Sequence, residues 1–434
     1  MSNWPFYAFI VICGSLSLLL LFLQHGLSSM LVFLFGLFTL SQFIQTPIDL
    51  YTIKWATLGA FVLFLFLARG SRIYNEIAKS FRFCPEIPLL IGWCLISSIA
   101  SRYKTESFLT TLTFLGGFIF FYVALPSFLK NKGNSPIWFL RTYLLIAVPF
   151  MMFNLLLLLE DPSYLLLKKL RFTGTMERGG YVGVMVLPVL LSCAALALKN
   201  RGMRKLLLML CSAIAGMIIL ATNARSAWVG AVVGLLILFA MSSRKALTVT
   251  LLLALLTVSA DVTINEGRAI ESLRRASRIE TDFTTGRMNI WESSMYLFEQ
   301  APIWGVGLKG QYLIFSDIGI GVFLGRPGHS SYVAALVELG VVGFLLFILT
   351  QAHGVIAAWR NWSATKDSIY ASIVAILVSF MVISIVEGTT FGFGNTGSLL
   401  FWGLSALSVH SSFFRCSVVN KDTTDAENNR YSLL

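Results

Sequence analysis

Charge is scarce in this chain. Only 12% of its 434 residues are Asp, Glu, Lys or Arg, too few to solvate the surface of a soluble protein of that length. Histidine is scarcer still, with four copies spread from His25 to His410, so no histidine cluster points to a metal. The six cysteines (Cys13, Cys84, Cys94, Cys193, Cys211 and Cys416) contain no Cys-x-x-Cys spacing and mostly fall in apolar runs. That pattern argues against a disulfide framework or a zinc site and for small buried hydrophobes. The signatures of soluble catalysis are missing too. "GVGLKG" (305–310) lacks the Gly-Lys-Ser/Thr ending of a phosphate loop and reads as a turn between helices. No Gly-x-Ser-x-Gly elbow is present. No basic run carries the interleaved aromatics of a nucleic-acid groove, so nucleic acid is not an expected partner. The opening "MSNWPFY" has no Lys or Arg and no cleavage-like site after it, so the first helix is expected to stay in the mature chain.

What the chain has in abundance is apolar sequence. Hydrophobic residues make up 56% and the mean hydropathy is +0.78, which makes lipid the expected solvent and the fold class an all-α polytopic membrane protein. A span needs roughly 20 apolar residues. Candidate spans fall near 6–24, 27–44, 55–68, 87–100, 108–125, 138–159, 181–198, 206–221, 226–241, 246–260, 331–352, 369–386 and 398–412, a total of about 12–13 transmembrane helices. Basic residues resist translocation and mark the cytoplasmic side. Grouping the loops at 69–82, 130–132, 199–205, 243–245 and 360–366 with Arg141 at a helix start and the tail from Arg415 puts 18 Lys and Arg on one side, against eight in the opposite short loops. The long segment 261–330 then lies on the outer side. The domain organisation follows: an N-terminal transmembrane bundle (1–260), a large outer loop with amphipathic helices (261–330), C-terminal transmembrane helices (331–412) and a polar cytoplasmic tail (413–434). The net charge of +12 is concentrated in inner loops that face anionic lipid.

The outer segment holds seven basic and eight acidic residues. Its first half (265–279) reads as a charged helix with a narrow stripe at Ile270 and Leu273. Its second half (284–302) reads as a better one, with Met288, Trp291, Met295 and Phe298 at helical steps and Pro302 as the stop. Arg287 stands in the first turn of that helix, where unpaired N–H groups and the helix dipole already favour an anion. Arg225 sits in a short outer connection between two apolar runs, against the positive-inside bias, and an arginine at that depth needs a polar cavity or the interface. Arg171 and Arg178, each beside glycine-containing backbone, are further candidates for a phosphate contact. His329 follows Pro327 and Gly328 directly before an apolar helix. A helix N-terminus keeps an imidazole neutral and able to accept a proton.

Four stretches together carry a resemblance: "RFTGTMERGGYVGVMVLPVLL" (171–191), "TNARSAWVGAVVGLLILF" (222–239), "GRMNIWESSMYLFEQAPIWGVG" (286–307) and "GHSSYVAALVELGVVGFLLF" (328–347). In these the chain resembles the O-antigen ligase and O-antigen polymerase superfamily of bacterial envelope glycosyltransferases. It departs from the family pattern at Glu177, Arg178 and Gly179, where Asp/Asn-Pro-Asn is frequent, and at Ser330, where Asn is frequent. The resemblance implies a GT-C-like helical bundle in the bacterial inner membrane, with its active site facing the periplasm. It implies transfer of a glycan from undecaprenyl diphosphate to a sugar hydroxyl of lipid A-core, with inversion, without a metal and without another cofactor. The implied roles are His329 as base, Arg225 and Arg287 at the departing diphosphate, and Arg171 and Arg178 in substrate binding. A polysaccharide polymerase or a protein O-oligosaccharyltransferase shares this donor chemistry and stays open as an alternative. A lipid-linked oligosaccharide transporter fits less well, because internal repeats and mid-membrane charges are not evident. Glu338, about 13.5 Å of helix beyond His329, reads as a buried structural residue.

Overall fold

The computed structural model describes residues 10–11, 13–17, 26–43, 50–69, 72–129, 135–161, 164, 172–176, 179–243, 245, 248, 287–317 and 330–412. Among them the regular structure is helical, with a single isolated bridge between Phe43 and Met176. Among the described residues six helices are long and apolar enough to cross a membrane: Lys104–Ser127, Ser135–Glu160, Gly179–Lys199, Gly202–Ala221, Arg225–Ser242 and Ser331–Thr365. Shorter apolar helices lie at Gly26–Leu40, Ile53–Leu63 and Ser368–Ile383, and 396–412 is helical as well. The chain is an all-α polytopic membrane protein. The expected span at 246–260, the expected helix at 265–279 and the tail at 413–434 lie outside the described residues, as does most of the span at 6–24.

Two elements differ from the sequence expectation. The basic stretch at 69–82 is a helix, Arg72–Phe83, rather than a loop. It turns by 100° into Glu86–Ala100. The turn falls at Cys84 and Pro85, where proline has no N–H to give and disfavours helical geometry in the residue before it. The second difference is length, since the helix from Ser331 continues to Thr365. It ends where Lys366 takes a left-handed conformation (φ 52°) and Asp367 caps the next helix by accepting from the Ile369 N–H at 3.0 Å. The Lys366 ammonium rests 4.2 Å above the Trp362 ring, an arrangement suited to a membrane interface.

Polar contacts join distant segments that the basic residues assign to a common side. Lys199 pairs with Asp367 at 3.1 Å and His353 with Glu86 at 2.6 Å, joining segments assigned to the inner side. The Lys54 ammonium donates to the Gly394 carbonyl at 3.0 Å, and the Ser101 hydroxyl to the Val306 carbonyl at 2.7 Å, joining segments assigned to the outer side. At the outer rim the Tyr103 hydroxyl donates to Asp317, and this bond raises the phenol above its ordinary pKa.

Small residues allow the spans to approach closely. Gly183 faces Ala227, and Gly234 faces Leu191 and Ser379, while the Ser379 hydroxyl donates to the Gly230 carbonyl at 2.8 Å. Close backbone approach of this kind supplies van der Waals contact where lipid offers no hydrophobic gain. Elsewhere aromatic rings fill the interior: Phe118 lies edge-on to Phe393 and Trp402 at 5.2 and 5.3 Å between centroids.

The Ser331–Thr365 helix is broken at Gly340, which has φ 67° and ψ −175°. A break releases carbonyls that lipid cannot satisfy, and such backbone is tolerated only where protein covers it. Residues 302–307 supply the cover. The Val306 N–H donates to the Val337 carbonyl and the Gly307 N–H to the Glu338 carbonyl, both at 3.0 Å, while the Val341 N–H donates to the Pro302 carbonyl at 2.9 Å. Ser97 and Trp93 complete the set, donating to the carbonyls of Glu338 and Leu339, each at 2.8 Å. Glu338 itself is buried.

Candidate active site

Three helices begin at one place, on the side assigned as outer from the basic residues. Phe172, the residue after Arg171, donates its N–H to the Ala221 carbonyl at 3.1 Å, which ties the chain to the end of the Gly202–Ala221 helix. Asn223 then adopts φ 47°, the Thr222 hydroxyl accepts from the Ala224 N–H at 3.3 Å, and the chain reverses into Arg225–Ser242. Arg225 is half-buried in the first turn of this helix. The Gly179–Lys199 helix starts against the same turn. A Cβ on Gly179 would lie 2.7 Å from the Phe172 carbonyl and 2.9 Å from that of Thr222, so the close approach requires glycine.

The third helix starts at Ser331, as expected from the sequence, with Ser330 as its cap. The Ser330 hydroxyl accepts from the Val333 N–H at 3.2 Å, an N-cap bond. Ser331 is fully buried and joins this helix to the segment after Ser368–Ile383. Its N–H donates to the carbonyls of Ser384 and Glu387 at 2.9 and 3.2 Å. Its hydroxyl donates to the Glu387 carbonyl at 3.2 Å and accepts from the N–H groups of Thr390 and Phe391 at 3.0 and 3.1 Å. Tyr332, Gln351 and Thr390 extend the network: Tyr332 donates to Gln351 at 3.2 Å, and Gln351 to the Thr390 hydroxyl at 2.9 Å.

Glu387 is where the three starts meet. Its carboxylate accepts from the Ser226 hydroxyl at 3.5 Å, and a Cβ on Gly180 would lie 4.0 Å from the same oxygen. The side chain is half-buried. Each helix N-terminus presents N–H groups and the positive end of its dipole. Three of them, with a carboxylate between them, form a polar concentration at the membrane edge that is suited to charged substrate groups and to orienting basic side chains. Sequence reading missed Glu387. The available signal was an acid within "SIVEGTTFGFGNTGS" (384–398), a glycine-rich break between two apolar helices.

Of the residues singled out from the sequence, Arg171, Arg178 and His329 lie outside the described residues, but their neighbours Phe172, Gly179 and Ser330 are described and converge with Arg225 in this way. Arg287 opens the Arg287–Gln300 helix; its side chain is outside the described part. That helix ends just before Pro302, as expected. Its buried residues are Ile290, Ser294 and Leu297, however; of the apolar residues at helical steps, Trp291 and Phe298 are half-buried and Met295 is exposed. The reason is that small Ser294 admits the buried Gln311 side chain, which donates to its hydroxyl. Leu297 and Phe298 then seat the helix on Val333 and Val337, in the first turns after His329.

No curated protein matches this chain. A family model described as O-antigen ligase matches residues 210–348. The matched part contains Arg225, Arg287, the 302–307 cover and the first half of the broken helix, from Ser331 past its break at Gly340. Over that segment, about a third of its length, the chain is similar to the O-antigen ligase family.

Proposed function

We propose that the protein is an O-antigen ligase of the bacterial inner membrane. It moves a glycan from undecaprenyl diphosphate to a sugar hydroxyl of lipid A-core on the periplasmic face. The observation that carries this reading is the convergence of three helix starts on Glu387, with Arg225 in one of them and the neighbours of Arg171, Arg178 and His329 built into the others.

The departing lipid diphosphate gains negative charge as the glycosidic bond breaks. The guanidinium groups of Arg225 and Arg287 offset that charge through paired hydrogen bonds, and Arg171 and Arg178 hold the donor. Such donors act without a metal. His329 takes the proton of the attacking hydroxyl, a role for a base that titrates near neutrality. Attack from the side opposite the diphosphate inverts the anomeric carbon. Glu387 acts through other groups: it holds the Ser226 and Ser331 helix starts in register and orients the cations around it. The transmembrane bundle of 1–260 and the helices of 331–412 then frame the site, with 261–330 as the periplasmic loop across it.

The test is lipopolysaccharide banding in a deletion strain, with carrier-linked glycan measured alongside. Bare core together with long polymer on the carrier is the expected phenotype. Single repeats attached to core would identify a polymerase instead and would overturn the choice of acceptor. Glycan missing from a protein, with normal lipopolysaccharide, would identify a protein O-oligosaccharyltransferase.

A further inference from the structure

A second group of reactive side chains lies far from the outer site. Cys84 occupies the sharp turn between Arg72–Phe83 and Glu86–Ala100, Glu86 opens the second of these helices, and His353 reaches them from the long helix. His353 is 22 residues past Ser331, about 33 Å of helix path at a rise of about 1.5 Å per residue, a distance comparable to the hydrocarbon thickness. His353 Nδ1 lies 2.6 Å from Glu86 Oε1. The Cys84 sulfur, a Glu86 oxygen and a His353 nitrogen all lie within 4.8 Å of one another. The turn that presents them is fixed by the Cys84 N–H, which donates to the Ser80 carbonyl at 3.0 Å, and by the Ile87 N–H, which donates to the Cys84 carbonyl at 3.1 Å.

We propose that Cys84, Glu86 and His353 form a divalent-metal site of the zinc class on the cytoplasmic side, separate from the transfer reaction. Thiolate, imidazole and carboxylate are the three ligand types that zinc accepts together, with metal–ligand distances of about 2.0–2.3 Å. Tetrahedral placement around such an ion puts ligand atoms roughly 3.5 Å apart. The present spacings reach that by opening the Glu86–His353 contact and drawing the sulfur in. Binding releases the Cys84 thiol proton to solvent, and water fills the fourth position. The ion then ties the turn at Cys84–Pro85 to a helix more than 250 residues away in the chain. Sequence spacing hides this site because only Cys84 and Glu86 are near neighbours.

The test uses the tag-free full-length protein in detergent, stripped with a chelator and titrated with Co²⁺. One equivalent should bind and give a near-ultraviolet thiolate-to-cobalt charge-transfer band, which Zn²⁺ then displaces. Cys84→Ser should abolish the band and Cys193→Ser should retain it. Glu86→Gln and His353→Ala should each weaken Co²⁺ binding at least about tenfold, the scale on which even outer partners of metal ligands act. Absence of the band in the wild type, or its survival in Cys84→Ser, overturns the proposal. Should the serine variant fail to accumulate, an unchanged Co²⁺ affinity in Glu86→Gln overturns it equally.

Discussion

Gly340 and Ile303 meet so closely that a Cβ on the glycine would overlap the Ile303 carbonyl group. The contact works in both directions, since a Cβ on Gly305 would overlap the backbone of Glu338. Both glycines have positive φ, 67° and 73°. One stretch of the outer segment and one break in a membrane helix are therefore a single interlocked unit. Gly340→Ala and Gly305→Ala should each destabilise the protein by at least about 1–3 kcal/mol through backbone strain alone. The overlap adds to that, and the effect is readable as a lower melting temperature in detergent and reduced abundance in the membrane.

Ser331→Ala removes an acceptor from two N–H groups, those of Thr390 and Phe391. Leaving buried donors unpaired costs about 1–3 kcal/mol each. The expected result is a loss of transfer together with a lower melting temperature, whereas Ser331→Thr, which keeps the hydroxyl, should restore part of both.

His329→Ala should abolish transfer without changing abundance or membrane insertion. Loss of a general base lowers turnover by about 10²–10⁴-fold. Lipopolysaccharide banding with a parallel immunoblot checks this, and normal transfer would remove His329 from the role of base.

Arg225→Ala and Arg287→Ala should lower turnover on the carrier-linked donor by about 10²–10³-fold, as expected for loss of a charge-stabilising donor. Lysine keeps the charge but not the planar fork. Partial recovery in Arg225→Lys and Arg287→Lys is therefore expected, and full recovery of both would rule out a bidentate contact.

Glu387→Gln should impair transfer while sparing stability, because the bonds from Ser331 go to the Glu387 backbone carbonyl and persist. Glu387→Asp should recover activity in part. Assay of purified protein beside its melting curve separates the two readouts, and full activity in Glu387→Gln would show that the carboxylate's charge orients nothing.

Local signals in the sequence carried well into the structure. The helix start at 331, Pro302 as a stop and the apolar runs at 108–125, 181–198 and 206–221 were legible because each depends on near neighbours. The buried face of Arg287–Gln300 was legible only in part, since large apolar residues marked one stripe while packing centred the buried residues on Ser294. Glu387 with Ser226, and Glu86 with His353, join residues 161 and 267 positions apart. Nothing in local spacing encodes such pairs, and they appear only when the spans are packed. The break at Gly340 escaped for a similar reason: a lone glycine in an apolar run reads as a tolerated residue until the 302–307 segment is seen beside it.

That break also imposes an order on biosynthesis. Residues 302–307 leave the ribosome before the span that begins at Ser331, so the donors for the released carbonyls already exist when those carbonyls reach the membrane. A circular permutant opened between 307 and 331 would reverse the sequence of events, delivering the broken span to lipid first and its hydrogen-bonding partner last.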